Sequence, residues 1–236
     1  MKWFDSATLE SFDVKQLWRN LPTSLVSKDL FYPGEFTDRE KLILQRFADY
    51  DSGVEHTVDP KDRWAQYGEL ERLDFLFDKL NFPTTRFSDG SFPVWYGADS
   101  ENCSKAETAY HLIRQARKDA PPGSKKPIIC QRAMYKAAVH CQAGVDLVPF
   151  IPTHPEILED GPPYPACNDI GRRASGRNCD GLRTKSKRFP KGTCYAVFNR
   201  ESVVKSMRVS GYELRVHLDG READIYGVPL SEALAE

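Results

Sequence analysis

The chain has 236 residues, a formal net charge of -1, 40% hydrophobic and 28% charged residues. That balance suits a folded chain with a sizeable core and excludes intrinsic disorder. A near-neutral charge offers no global attraction to nucleic acid or membrane, so either preference must come from a local patch. Ser6 to Leu21 predicts a helix, because Leu9, Phe12 and Leu17 fall at helical spacing and Pro22 closes it. Thr37-Asp-Arg-Glu40 has the form of a capping box and opens a second helix with Leu42, Leu44, Phe47 and Ala48. Pro60 to Leu80 predicts a third, with a wide apolar face from Trp64, Tyr67, Leu70, Leu73, Leu76 and Phe77. Residues 1–80 thus read as a helical N-terminal elaboration.

From there the pattern changes to short strands mixed with helices. Phe92 to Ala98, Pro127 to Ala138 and Leu147 to Ile151 are expected strands, with a helix over Asn102 to Asp119 between the first two. His154 to Pro165 reads as a loop, and Ala166 to Ser175 as a helix stopped near Gly176. Four more strands are expected at Cys179 to Thr184, Thr193 to Asn199, Tyr212 to Leu218 and Ala223 to Val228, with Asp219-Gly220 as a hairpin signal. Helices first and then a mixed, strand-rich region points to an α+β fold.

Several classes are disfavoured. Neither GxGxxG nor GxxxxGK[ST] occurs, so neither glycine-rich phosphate cradle is available. The N-terminus lacks an apolar core of signal-peptide length, and no stretch approaches the ~18 apolar residues of a membrane helix. The expectation is a soluble cytoplasmic protein. The six cysteines form no CxxC pair and no His stands at zinc-ligand spacing, so reduced thiols and no metal site are expected.

Chemistry concentrates in Thr85 to His111. Arg86 precedes a Ser88-Asp89-Gly90-Ser91 turn, Tyr96 ends the following strand, and Glu107 lies early in the next helix. A guanidinium is a planar fork suited to phosphate. Tyr96 reads either as a half-buried sheet residue or as a group that stacks on a ring or donates a hydroxyl. Glu107 reads either as a solvated carboxylate complementing the helix N-terminus or as a group that stabilises a positively charged, sugar-like transition state. The second concentration, Arg172 to Lys191, carries eight cations, with Ser186 inside it. It reads as a solvated basic face, as an anion-binding wall, or as an RNA patch. Phe189 is its only aromatic residue, and this counts against stacking of single-stranded bases.

The segment RFSDGSFPVWYGADSENCSKAETAYH resembles the core motif of the RES-domain family, placing Arg86, Tyr96, Glu107 and His111 on motif positions. A second segment, Ala174-Ser-Gly-Arg-Asn-Cys-Asp-Gly-Leu-Arg-Thr-Lys-Ser-Lys-Arg188, resembles the family's other motif and places Ser186 on its serine. Here Thr184-Lys185 stands where the family shows Tyr-Pro, and Asn178-Cys179 looks like an insertion. Trp18-Arg19 is the best match to an arginine that the family carries near the start of its domain.

The resemblance implies an ADP-ribosyltransferase-like mixed sheet around a cleft for NAD, with residues 81–236 as the catalytic region. It implies cleavage of the nicotinamide–ribose bond, by phosphorolysis or hydrolysis, in a bacterial toxin restrained by a small antitoxin or immunity protein. Transfer of ADP-ribose to a protein, or a non-catalytic nucleotide- or partner-binding module, are the alternatives. The implied catalytic residues are Glu107, Arg86 and Ser186, and the implied substrate-binding residues are Tyr96, Arg19, Arg188 and His111. NAD would be the substrate, inorganic phosphate a possible co-substrate, and no bound cofactor is expected.

Overall fold

The computed structural model describes residues 2–22, 76–77, 82, 84–120, 123–159, 161–218 and 223–235. The second and third expected helices lie outside these residues, apart from Leu76 and Phe77, as does the Asp219-Gly220 turn. The elements in chain order are α1 (Lys2–Asp5), β1 (Glu10–Pro22), β2 (Trp95–Ala98), α2 (Glu101–Asp119), β3 (Ile128–Asp146), α3 (Pro165–Gly176), β4 (Gly181–Lys185), β5 (Thr193–Val197), β6 (Val203–Val216), β7 (Ala223–Ile225), β8 (Val228–Pro229) and α4 (Leu230–Ala233). The α+β expectation holds. Among the described residues, no helix is long and apolar enough to cross a membrane.

The chain divides into two compact units. The first comprises Met1–Arg19, Gln66–Ser104 and Lys136–Met207, and the second Asn20–Ala65, Lys105–Tyr135 and Arg208–Glu236. In the first unit the sheet is mixed. β2 pairs antiparallel with β1 and with β5, β5 pairs antiparallel with β4, and β4 runs parallel to β3. Alternation of side chains across this sheet builds two cores. Tyr96, Ala196 and Leu182 share a register row and face the cluster of Phe87, Cys167, Ile170 and Ala174. Trp95, Tyr195 and Val197 face the opposite way, against Leu17, Ala137, Val139 and Cys141.

β3 contributes to both cores. Cys141 lies in one and Val145 in the other, although strict alternation would place both on one face. The break lies between them, where one Asp180 carboxylate oxygen accepts the consecutive N–H groups of Gln142 and Ala143 at 2.8 and 3.0 Å. Successive amides aimed the same way are the signature of a bulge.

The helix expected over Ser6 to Leu21 is a correction: Glu10–Pro22 is a strand. Phe12, Val14 and Leu17 all pack on the Trp95 core, and Trp18 pairs with Ala98. Phe12 and Val14 carry the strand period; the helical spacing of Leu9 with Phe12 is coincidental, since Leu9 is 39% exposed. Leu17→Ala should therefore cost ~2–5 kcal/mol, and Leu9→Ala should stay within about 0.5 kcal/mol of wild type. Chemical denaturation of both variants checks this; equal losses would contradict the strand.

Leu147 to Ile151 is also not a strand. The Leu147 N–H reaches Arg183 O at 2.8 Å, and a 3-10 turn follows over Val148–Phe150. Pro149 has no N–H to extend a ladder.

In the second unit, β7 pairs antiparallel with β6 and with β8. Arg132 is 2% exposed and donates from Nε to Asn20 Oδ1 at 2.6 Å, and Asn20 Nδ2 in turn donates to the Tyr212 hydroxyl. Buried charges of this kind persist where their donors find acceptors.

Candidate active site

The turn that carries Arg86 is built from its own side chains. Ser88 donates to Phe92 O at 2.7 Å and accepts the Gly90 N–H at 3.1 Å, while Asp89 accepts the Ser91 N–H. Gly90 has φ 92°, which favours glycine. The turn is then clamped to α3. Asn168 Nδ2 donates to both Thr85 O and Arg86 O, at 2.7 and 3.0 Å. Gly171 allows the approach, because a Cβ there would stand 1.9 Å from Phe87 O.

Arg86 is half-buried. Its Nη2 donates to Ile157 O, and its guanidinium lies over the Phe87 ring at 5.2 Å. Its Nε is buried and has no hydrogen-bond partner among the described residues. Burial pushes the neighbouring Cys167 thiol up to about 11, so it stays neutral beside the cation.

Tyr96 lies beside Arg86 on the same face of the sheet. Its hydroxyl pairs with Thr85 Oγ1 at 2.8 Å and accepts the Phe87 N–H at 2.9 Å. Burial raises it well above the ordinary tyrosine range, so it remains protonated. The hydroxyl is thus committed to holding the Arg86 turn against β2, which leaves the ring as the part of Tyr96 suited to a ligand. Tyr96→Phe strands the Phe87 amide and should cost ~1–3 kcal/mol. Thermal unfolding measures it, and an unchanged Tm would show that the hydroxyl does not carry the turn. Arg19 Nη1 donates to Tyr96 O at 3.0 Å, and its guanidinium lies 5.4 Å from the Trp95 ring. Arg86 and Tyr96 are therefore brought together within the first unit, while Arg19 meets the Tyr96 backbone and the Trp95 ring, which faces the other way.

The Arg172 to Lys191 run divides, which corrects its reading as one basic wall. Arg172 pairs with Asp89 at 3.0 Å and Asp169 at 3.3 Å, and Arg173 with Asp5 at 2.7 Å and Asp169 at 2.9 Å. Arg177 donates to Phe4 O and Ala7 O, and Arg183 pairs with Asp146 at 2.8 Å. These four guanidiniums hold elements together. Lys185, Lys187, Arg188 and Lys191 surround Ser186 and form the remaining basic group.

Ser186 is 3% exposed. Its oxygen accepts the N–H groups of Arg188 at 3.1 Å and Phe189 at 2.9 Å, and its own N–H reaches Gly192 O at 3.1 Å. It organises the turn from which Arg188 projects. The Asn178-Cys179 insertion has a clear task as well. Asn178 takes φ 54°, its N–H bonds Ser175 O, and the Cys179 N–H bonds Ala174 O. That is a Schellman cap, so Asn178 and not Gly176 is the left-handed residue ending α3. Sequence reasoning missed Asn168, Gly171 and Asp180; an Asn and a Gly three residues apart on a helix carry no signal until their partners are known.

Glu107 and His111 lie on α2 beyond the boundary of the first unit, among residues of the second. Both are half-buried, one turn apart. Cys103 and Ser104, buried on the preceding turn, place Glu107 on the inward side of the helix. His111 meets the Tyr110 ring edge-on at 5.3 Å.

The RES domain family model matches residues 67–219, more than half of the chain, and spans both motif segments. Among solved structures, a chain of the M. tuberculosis MbcT-MbcA toxin-antitoxin complex matches with a TM-score of 0.46 and 11% identity, covering 89% of this chain and 91% of that one. No curated protein matches the chain.

Proposed function

We propose that this chain, which belongs to the RES domain family, is an enzyme that cleaves the bond between nicotinamide and ribose in NAD. The observation that carries this reading is the family match, which takes in Arg86, Tyr96, Glu107, His111, Ser186 and Arg188 together. Arg86 supports it. The Arg86 Nε is buried with no acceptor among the described residues, as is the Nε of Arg183, whose Nη1 is paired with Asp146. A buried donor without a partner costs roughly 1–3 kcal/mol, and an anionic ligand oxygen would offset that cost.

In the reaction the C1′–N bond breaks and nicotinamide leaves as a neutral base with the bonding electrons. The ribose passes through an oxocarbenium-like state. Glu107 stabilises that charge or holds a ribose hydroxyl. Arg86 and Arg19 hold the pyrophosphate or an attacking phosphate, and the ring of Tyr96 packs on the nicotinamide or ribose. Ser186 shapes the turn that presents Arg188 to a phosphate, and His111 supports the substrate from α2. Attack by inorganic phosphate gives a ribose 1-phosphate ester; attack by water gives ADP-ribose and a proton. Such an activity depletes NAD and would make the protein a toxin, restrained by a small antitoxin or immunity protein.

The test is to incubate purified protein with NAD, with and without inorganic phosphate, and to follow nicotinamide release. Release is expected, and its dependence on phosphate separates phosphorolysis from hydrolysis. Nicotinamide appearing only when a protein acceptor is added would identify a transferase instead. No release under any of these conditions would refute the enzymatic reading in favour of a binding module.

A further inference from the structure

Cys103 and Cys194 lie 91 residues apart in sequence, yet their sulfurs stand 3.9 Å apart. Cys103 is fully buried in the first turn of α2 and Cys194 is half-buried near the start of β5. The backbones beneath them are already tied. Ala98 pairs with Cys194 across β2 and β5, the Asp99 N–H reaches Thr193 O at 2.9 Å, and the Thr193 N–H reaches Asp99 Oδ2 at 2.8 Å. Gly192 makes the room, since a Cβ there would stand 2.5 Å from Cys103 Sγ. A disulfide needs its sulfurs at about 2.05 Å, so closing the pair requires a shift of about 2 Å, shared between two side chains and the first turn of α2.

We propose that Cys103 and Cys194 form an oxidative modification site that closes to an intramolecular disulfide in the presence of a hydroperoxide. Cys194, the partly exposed partner, loses its proton and attacks as its thiolate; the O–O bond breaks, leaving a sulfenic acid on Cys194, and the hydroxide expelled from hydrogen peroxide takes up a proton as water. The Cys103 thiolate then attacks the sulfenic sulfur, the S–S bond forms, and the departing hydroxide takes up a proton as a second water. The two thiols lose two electrons and the peroxide gains them.

The consequence for activity rests on the function proposed above. Glu107 stands one helical turn beyond Cys103, and Gly192, against which Cys103 is seated, accepts the Ser186 N–H. The bridge therefore displaces the start of α2 and presses on the Ser186 turn at once. A misplacement of about 1 Å can cost around 10²-fold in rate, so the oxidised protein should cleave NAD roughly 10²-fold more slowly, with recovery in dithiothreitol.

The test begins with the wild-type protein treated with a few equivalents of hydrogen peroxide and digested without reduction. A peptide linking Cys103 to Cys194, two hydrogens lighter than the separate peptides, is expected. Cys194→Ser and Cys103→Ser should each abolish it and should keep their NAD cleavage after peroxide. Sulfinic acid on Cys194 with Cys103 still reduced, or linkage to another cysteine, would overturn the site. Linked protein that cleaves NAD as fast as the reduced form would overturn its control of activity. If the reduced protein releases no nicotinamide, the proposed function fails and control of it with it, while the peptide mass still decides the bridge.

Discussion

Replacing Glu107 with glutamine should lower nicotinamide release from NAD by roughly 10²–10³-fold, the size of effect seen when one preorganised charge-stabilising group is removed. Glutamine keeps the length and most of the hydrogen-bonding shape of the side chain but removes its negative charge. The effect should fall on the chemical step, where positive charge develops on the ribose, so kcat should drop more than KM rises. Glu107 sits on the second turn of a 19-residue helix whose buried apolar positions are Cys103, Ala106, Ala109, Leu112 and Ala116. The substitution leaves that apolar row intact, and the Tm should stay within a few degrees. Glu107→Asp retracts the carboxylate by one methylene and should retain more activity than the glutamine variant. An E107Q protein that is folded and within tenfold of wild type would remove Glu107 from the reaction.

The largest loss of stability is expected from Gly171→Ala. A Cβ at this position would stand 1.9 Å from Phe87 O and 2.7 Å from Phe87 C. Both sides of the contact are backbone, so no flexible side chain can give way. Overpacking of this kind costs about 1–3 kcal/mol and at times more, and the rigid contact places Gly171→Ala at or above the upper end. The alanine's better helix propensity returns at most about 1 kcal/mol. For a chain of this length the Tm should fall by roughly 5 °C or more. The helix would retreat from the Arg86 turn, lengthening both Asn168 hydrogen bonds, so NAD turnover should fall as well. The same exchange at Gly176, at the end of α3 where an added Cβ would meet nothing within 4 Å, makes the control. Thermal unfolding and nicotinamide release measured on the same samples separate the effects; a G171A protein as stable as wild type would mean that α3 is not clamped to the turn.

Much of the site's local form was legible in the sequence. The Ser88-Asp89-Gly90-Ser91 turn, the strand ending at Tyr96 to Ala98 and the helix carrying Glu107 all depend on neighbours within a few residues, and they stand where expected. What failed depended on distant partners. Ser6 to Leu21 looked helical because β2, some 80 residues on, was not visible as the partner of Trp18. The arginines of α3 looked like a ligand wall because nothing local announces that the distant Asp5 and Asp89 will join Asp169 in neutralising two of them. The resemblance implied a catalytic Ser186, and what composition did not show is that its oxygen accepts two backbone amides of its own turn.

The position of α3 in the chain also sets when the site can come into being. The Arg86 turn is held by Asn168, 82 residues downstream of Arg86, and the segment from Phe4 to Ala7 is held by Arg177, later still. At ~5–20 residues per second, the ribosome supplies that clamp some 4–16 s after the arginine itself emerges. Until then Thr85 and Arg86 lack the donor that fixes their carbonyls, and the N-terminal segment has no guanidinium to dock on. The nascent chain thus carries the Arg86 turn without its clamp while 82 of its 236 residues are made. Assembly of the turn, α3 and the N-terminal segment becomes a late step, completed nearly together as residues 165–177 clear the exit tunnel.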